Sequence, residues 1–392
     1  MTNKRLDATL VGSRILVVDD EDLYRDMMVR WLTRAGIRHI ETAKDGKDGL
    51  AKVESFKPDL IILDINMPVM NGYDMCRRLR ATPATADVPI LFQTGATTEQ
   101  EQSTCFAAGG SDYIAKPIRV SECLARVAVH LRMRQMMLSL QAYASRVESE
   151  LSAARAMQSE LTPPPARIKQ IADAASLQID IHVEPSSELG GDTWAIDDLG
   201  QGRIALMLAD FSGHGIAAAI NTFRLHTLIS QHPPTPEAPG DWLGEINNTL
   251  CGMLAEGQFA AFFYGVLEPA ADRLRYAACG GPNPVIVDGG GPRLLDGSGF
   301  MLGITRGMSY ETREVMFPAG ATLLLYSDAL TESESPDADA LGQAGVLNLY
   351  RQLPVIESSP IRLLLDRGLQ CRRPLKDDLT MIWISRQPKP PA

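Results

Sequence analysis

Residues Arg14–Ala35 read RILVVDDEDLYRDMMVRWLTRA. Ile15–Val18 form an unbroken aliphatic run, as in a strand buried on both faces, and it stops at Asp19 and Asp20. A helical period then takes over from Leu23 to Ala35. A strand feeding a helix through an acidic turn is the unit of an open α/β sheet, whose ligands bind at the carboxyl ends of its strands. The same ending recurs outward along the chain: LIILD stops at Asp64, LMLAD at Asp210 and LLLYSD at Asp328. A single aspartate there could be a cap or a turn residue. Four such endings, in two widely separated pairs, point to two carboxylate sites on two domains.

Around the opening stretch the pattern predicts strands at Arg14–Val18, His39–Ala43, Asp59–Leu63, Pro89–Gln93 and Asp112–Ala115. Helices are expected between them at Leu23–Ala35, Lys47–Ser55, Asp74–Arg80 and Glu99–Ala108, with another from about Ser121. Five βα repeats indicate a doubly wound, mostly parallel α/β domain, placed at residues 12–131.

From Met133 the period changes. Met133, Met137, Leu140, Ala144, Val147, Leu151, Ala154, Gln158 and Leu161 keep a strict 4-3-4-3 spacing without glycine or proline, and Pro163-Pro164-Pro165 closes the stretch. Residues 132–165 therefore read as a helical linker. Its seam fits a coiled coil that pairs two chains, or equally one helix packed on its own domains.

Residues 166–386 mix glycine-rich loops with strands, among them Gln178–Val183, Ile204–Leu208, Phe262–Leu267, Pro284–Val287, Thr322–Tyr326 and Met381–Ile384. Helices at Ile216–Ser230 and Trp242–Ala255 complete an α+β layered sandwich. Residues 387–392, QPKPPA, read as a disordered tail.

The 392 residues carry a net charge of −10, which argues against a broad nucleic-acid surface. Six scattered cysteines without a CxxC pair fit buried thiols in a reducing compartment better than disulfides or a zinc site. No apolar run approaches the ~20 residues that span a bilayer, and MTNKRLDATLVGSR lacks a signal-peptide core. The expectation is a cytoplasmic protein with neither membrane nor nucleic acid as partner.

Asp19, Asp20 and Asp64 end neighbouring strands, and three clustered carboxylates repel one another unless a cation sits among them. Mg²⁺ suits such hard oxygen ligands. Thr94 and Lys116, at the ends of two further strands, supply a hydroxyl and an ammonium for a phosphoryl oxygen. With LDINMPVMNG at Leu63–Gly72 and the Lys116-Pro117 step, this region resembles the flavodoxin-like receiver domain of bacterial two-component response regulators. The resemblance implies that Asp64 accepts the phosphoryl group and that Asp19, Asp20 and the Asn66 carbonyl hold Mg²⁺ with it. It also implies Tyr113 as the switch aromatic and a sensor histidine kinase or phosphotransfer protein as donor.

In the third segment the acids sit at Asp192 (GGD), Asp210 (ADFSGHG), Asp328 (YSDALTE) and Asp377–Asp378 (KDDLT). Each alone has a bland reading as a turn or helix start. Together they match a two-metal hydrolase, and no GxSxG, HExxH or GxxxxGK[ST] motif competes. His214 reads more readily as a packing residue than as a ligand.

The ELGGD, ADFSGHG, QFAAFFYGVLEP, GGPNP, LYSDALTE and DDLT stretches resemble the αββα-sandwich PPM-type serine/threonine phosphatases. The nearest branch is the bacterial SpoIIE/RsbU-like one, which includes sigma-factor regulators. The resemblance implies two Mg²⁺ or Mn²⁺ ions held by Asp192, Asp210, Asp328 and Asp377, with the Phe211 carbonyl and with Asp378 as the alternative to its neighbour. Ala329 departs from the family glycine, GGDTWA lacks a later acid, and GGPNP replaces a Gly-His-Asn-Pro-Pro-like loop.

The expected function is a response regulator in which Asp64 phosphorylation controls a phosphoprotein phosphatase. The resembling branch acts on anti-sigma-factor antagonists. The alternatives are a non-catalytic phosphatase-like adaptor that captures a sigma factor or other partner, and a DNA-binding regulator, which the acidic balance disfavours.

Overall fold

The computed structural model describes residues 10–95, 99–213, 215–334, 339–352, 359–370 and 375–387. His214, Cys371 and tail residues 388–392 lie outside them. The chain divides into two compact units, Met1–Val147 and Glu148–Ala392.

The first unit runs β1 (Arg14–Val18), α1 (Asp22–Ala35), β2 (His39–Ala43), α2 (Gly46–Phe56), β3 (Leu60–Asp64), α3 (Gly72–Arg80), β4 (Ile90–Thr94), α4 (Glu99–Ala107), β5 (Asp112–Ala115) and α5 (Val120–Ser159). The strands form one parallel sheet in the order β2-β1-β3-β4-β5. Successive side chains of a strand point to opposite faces. Leu16, Val18, Ile61 and Leu63 accordingly pack with α2 and α3 residues such as Val53 and Met75. Ile15, Val17, Leu60 and Ile62 pack with Met28 and Leu32 of α1 and Cys123, Val127 and Leu131 of α5. Gly72 has a steric reason: a Cβ there would lie 2.2 Å from the Asp64 carbonyl, so only glycine lets α3 start against the end of β3.

Helix α5 is 40 residues long, and Leu131 is its last buried residue. The seam positions beyond it behave in two ways. Met133, Met137 and Leu140 are exposed, whereas Val147, Leu151, Ala154 and Gln158 are half-buried. The seam positions are thus exposed over one length of the helix and half-buried over the next.

The second unit continues with α6 (Pro165–Ala175), β6 (Leu177–Glu184), β7 (Asp192–Gly200), β8 (Arg203–Phe211), α7 (Ile216–Gln231) and α8 (Pro239–Leu250). It then runs β9 (Ala260–Glu268), β10 (Arg273–Cys279), β11 (Val285–Asp288), β12 (Gly291–Leu294), β13 (Arg313–Met316) and β14 (Thr322–Tyr326). Helices α9 (Ala329–Glu332) and α10 (Gly342–Arg351) and strand β15 (Leu379–Arg386) follow. Two antiparallel sheets result, β13-β10-β9-β8-β7 and β12-β11-β14-β15-β6.

Alternation explains the layering. Leu206, Leu208, Leu323, Leu325, Ile382 and Ile384 fill the space between the sheets. Their neighbours Ala205 and Met207 face outward onto Leu225, Trp242 and Ile246 of α7 and α8. On the other side Leu324, Tyr326, Met381 and Trp383 face Val346 and Tyr350 of α10. Two sheets sandwiched between helices follow from these patterns.

Three expectations shift. Helix α8 covers Pro239–Leu250 rather than Trp242–Ala255, because Pro239 is accommodated in its first turn. Pro165 opens α6 by the same device, where the prolines read only as a stop. Strand β7 was not anticipated: it is an edge strand with one fully buried residue, Ile196, so no apolar run marks it. The five described cysteines are free thiols. No helix of the described residues is long and apolar enough to cross a membrane.

Candidate functional site

Strands β1, β3, β4 and β5 deliver their carboxyl ends to one edge of the parallel sheet, which brings Asp19, Asp20, Asp64, Thr94 and Lys116 together. One carboxylate oxygen from each of Asp19, Asp20 and Asp64 lies within 4.8 Å of the others. Asp19 is fully buried and Asp64 nearly so, while Asp20 is exposed. The Lys116 ammonium bridges them, 3.1 Å from Asp19 Oδ2 and 2.8 Å from Asp64 Oδ1, and lies 4.3 Å over the Tyr24 ring. Its backbone amide donates to the Thr94 carbonyl at 2.7 Å, which ties the ends of β4 and β5.

Burial raises the Asp64 carboxyl above the ordinary range despite the opposing Lys116 charge, and Asp19 adds to the rise. Burial alone would lower Lys116, but its contacts with Asp64 and Asp19 outweigh it and hold the ammonium charged. The Asn66 amide donates to Asp64 Oδ2 at 3.1 Å, and its side chain is exposed. Half-buried Tyr113 meets the Phe106 ring edge-on at 6.2 Å between centroids, with the Arg126 guanidinium 5.5 Å over its own ring.

In the second unit Asp192 opens β7 and Asp210 lies near the end of β8, and the two are register partners. They alternate in phase with Ile196 and with Leu206 and Leu208, so both point to the mouth of the space between the sheets. Asp328 follows β14 and Asp377–Asp378 precede β15, whose strands pair in the opposite sheet. Four sequence-distant segments thus converge.

The electrostatics show how closely. Burial, then the charges of Asp192, Asp328, Asp377 and Asp378, push Asp210 up to about 10. Burial, then Asp377 and Glu332, raise Asp328 to about 6, even though it shares a hydrogen bond with Asp210. Asp192 is driven well above the ordinary carboxylate range, chiefly by burial. Both of its oxygens are sealed from solvent without a hydrogen-bond partner among the described residues. Ser327 is close by, but its hydroxyl donates to the Asp378 carbonyl at 2.9 Å, and the Thr380 hydroxyl is likewise unpartnered. A buried, unpaired carboxylate among other acids suits a divalent cation. The spacing is looser than in the first unit: among the described residues only Asp19, Asp20 and Asp64 form a group of three within 4.8 Å.

Asp377 and Asp378 differ in what they hold. Asp378 is buried, and its Oδ1 accepts from the Ser186 amide at 2.7 Å and the Ser186 hydroxyl at 3.0 Å. Its Oδ2 accepts from the Gly191 amide at 2.5 Å. Both of its oxygens therefore brace the loop that leads into Asp192. Half-buried Asp377 accepts the Asp378 amide at 2.8 Å and acts on both Asp210 and Asp328. The two glycines before Asp192 allow a close approach: a Cβ on Gly190 would come 3.0 Å from Asp378 Oδ2, and one on Gly191 3.0 Å from the Phe211 carbonyl, each tighter than an ordinary contact.

Two of the sequence departures have local explanations. Ala329 lies inside α9 and needs no glycine conformation. The GGPNP loop is pinned through Asn283, whose side chain accepts from the Gly297 amide at 2.9 Å and whose carbonyl accepts from the Tyr326 hydroxyl at 2.8 Å. A residue the sequence assigned elsewhere also reaches this site. Gln158, on the linker seam, hydrogen-bonds Gly190.

Residues 15–128 match the response regulator receiver domain family, and residues 200–387 match the family described as Stage II sporulation protein E (SpoIIE). Among curated proteins, the DNA-binding dual master transcriptional regulator RpaA of Synechocystis sp. is 40% identical over 119 residues, 30% of this chain and 49% of that protein. The transcriptional regulatory protein YvrH of Bacillus subtilis is 37% identical over 121 residues, 31% of this chain and 50% of that protein. The chain thus spans about half the length of the curated relatives it matches. Among solved structures, the SiaA-PP2C domain of Pseudomonas aeruginosa aligns over 62% of this chain and 98% of its own, with a TM-score of 0.53 at 19% identity, a likeness of fold. The chain carries an N-terminal response regulator receiver domain and a C-terminal SpoIIE-type, PP2C-like phosphatase domain.

Proposed function

We propose that the chain is a phosphoprotein phosphatase under receiver control, removing a phosphoryl group from phosphoserine or phosphothreonine of a partner protein. The observation that carries the reading is the convergence of Asp192, Asp210, Asp328 and Asp377 around a buried, unpartnered Asp192 carboxylate. Asp192, Asp210, Asp328 and Asp377, with the Phe211 carbonyl, would hold two Mg²⁺ or Mn²⁺ ions. When bound, such ions supply a deprotonated water for in-line attack on phosphorus. Asp378 stays a brace, because both its oxygens are engaged by Ser186 and Gly191.

At the receiver edge, Asp19, Asp20, Asp64 and the Asn66 carbonyl would hold Mg²⁺, and Asp64 takes the phosphoryl group from a histidine kinase or phosphotransfer protein. Lys116 already contacts Asp64 and so can neutralise charge on the phosphorylated side chain, with the Thr94 hydroxyl as a second contact. Tyr113, beside Phe106 and Arg126, is the aromatic that changes position. We place the domains at 12–131 and 166–386, joined by the helical linker 132–165. Its exposed Met133, Met137 and Leu140 form a seam on which two chains pair. The substrate is a small anti-sigma-factor antagonist, in keeping with the SpoIIE match.

The test is Mn²⁺-dependent hydrolysis of p-nitrophenyl phosphate and of phosphorylated antagonist proteins, compared between the wild type and Asp210→Asn. Turnover that needs the metal and disappears in the variant supports the reading. Absence of metal-dependent turnover on both substrates would replace it with that of a non-catalytic adaptor.

A further inference from the structure

Gln158 lies in the last turn of α5, within the second unit, and its carboxamide meets the backbone of Gly190. Nε2 donates to the Gly190 carbonyl at 2.7 Å and to Thr222 Oγ1 at 3.2 Å, and Oε1 accepts from the Gly190 amide at 3.3 Å. Thr222 is fully buried on α7 and donates its own proton to the Ala219 carbonyl at 2.7 Å, so its oxygen can only accept from Gln158. Turning the carboxamide over would set Oε1 against two acceptors, the Gly190 carbonyl and the Thr222 oxygen. The donor and acceptor placement is therefore determined.

The loop that carries Asp192 is thus held from two sides. Asp378 takes Ser186 and the Gly191 amide, and Gln158 takes both polar groups of Gly190. One turn earlier on the same helix face, Arg155 Nε donates to the Glu188 carbonyl at 2.8 Å, an exposed contact that reinforces the strap. Gly190 is buried, so losing Gln158 leaves its amide and carbonyl without partners and frees the peptide two residues before Asp192.

We infer that Gln158 is a positioning residue of the phosphatase site: by clamping Gly190 it fixes the Asp192 carboxylate among the other acids. The end of the linker helix is thereby built into the metal-binding geometry. The inference rests on the phosphatase reading for its consequence in turnover, but its structural content is testable without turnover.

The experiment uses the full chain with Asp19→Asn and Asp20→Asn as background, so that Mn²⁺ binding followed by paramagnetic resonance reports the second centre. Gln158→Ala is expected to weaken Mn²⁺ binding roughly tenfold or more, the usual effect of removing a residue that orients a ligand. Hydrogen exchange of residues 188–192 should accelerate, while KM for p-nitrophenyl phosphate stays the same. Gln158→Glu keeps an acceptor for the Gly190 amide but loses both donors, so it should resemble the alanine variant. Thr222→Val should give a smaller shift in the same direction and Thr222→Ser none, and this pair decides the matter should Gln158→Ala fail to fold. Mn²⁺ affinity unchanged in Gln158→Ala, or in Thr222→Val if that pair must decide, overturns the inference, whatever happens to exchange. Weakened affinity without faster exchange at 188–192 overturns it as well. If the variants shift Mn²⁺ affinity but no form turns over substrate, the phosphatase reading falls and the positioning role stands.

Discussion

Asp192 and Asp210 stand directly opposite one another across the β7–β8 ladder, register partners although 18 residues apart in sequence. Opposed like charges destabilise a strand pair unless something neutralises them. Protonation of the raised carboxyls relieves that repulsion without a metal, and in the function proposed above a divalent cation would do so.

A pH dependence follows. Asp210 is raised to about 10 and Asp328 to about 6, against ~3.9 for an unfolded aspartate. A raised carboxyl binds its proton more tightly in the folded state, so its contribution is complete below ~4 and lost as pH rises toward the folded value. The melting temperature in EDTA should fall steadily from pH 6 to pH 9. Asp210→Asn should flatten that slope, and saturating Mn²⁺ should stabilise the wild type more at pH 9 than at pH 6. A metal-free melting temperature that is flat or rising across this range contradicts the protonated cluster.

Val69, in the loop between Asp64 and α3, has φ of 69° and is 81% exposed. A β-branched residue gains nothing from this left-handed conformation, which costs it about 1–2 kcal/mol. Val69→Asn should stabilise the receiver by about 1 kcal/mol in urea unfolding. An unchanged or lower midpoint would mean that the strain is relieved by contacts the side chain makes.

Gln93 on β4 is fully buried, and neither end of its amide has a partner among the described residues. It shares a strand face with Leu91, which packs in the layer of α1 and α5. Removing a buried, unsatisfied polar group of similar volume should be favourable, by about 1–3 kcal/mol. Gln93→Leu is therefore expected to raise the denaturation midpoint. A destabilised variant would show that the amide has a role the apolar side chain cannot fill.

Asp112 offers an acid-side counterpart. Burial would raise its carboxyl, but hydrogen bonds from Arg126, the Tyr113 amide and His130 outweigh it and hold it below the ordinary range. Its contribution is present above ~3.9 and lost as pH falls through the lower folded value. Asp112→Asn should thus narrow the stability gap between pH 7 and pH 3. An unchanged gap argues that the Arg126 contact carries no net stability.

How far the sequence disclosed this arrangement depended on burial. Asp19, Asp64, Asp210 and Asp328 were legible because central strands are buried on both faces, so an aliphatic run ends visibly at each acid. Asp192 opens an edge strand of mixed polarity, and only the GGD motif marked it. Sequence left Asp377 and Asp378 interchangeable. Hydrogen bonding separates them, since the Asp378 partners Ser186 and Gly191 are remote in the chain. Gln158 was visible only as a seam position. Its partner Gly190 is 32 residues away, and helical periodicity carries no information about such a contact. The prolines at 163–165 announced a stop, but only the packing of Ile168 and Ile171 shows that Pro165 also begins a helix.

If the receiver governs a metal-dependent phosphatase, the rate of phosphate release from a phosphoserine or phosphothreonine protein by the full chain in Mn²⁺ depends on beryllofluoride at the receiver. Turnover should be lost in Asp210→Asn, and beryllofluoride should change it in the wild type but not in Asp64→Ala. Turnover that is absent, or that responds identically in the wild type and Asp64→Ala, contradicts receiver control of a phosphatase.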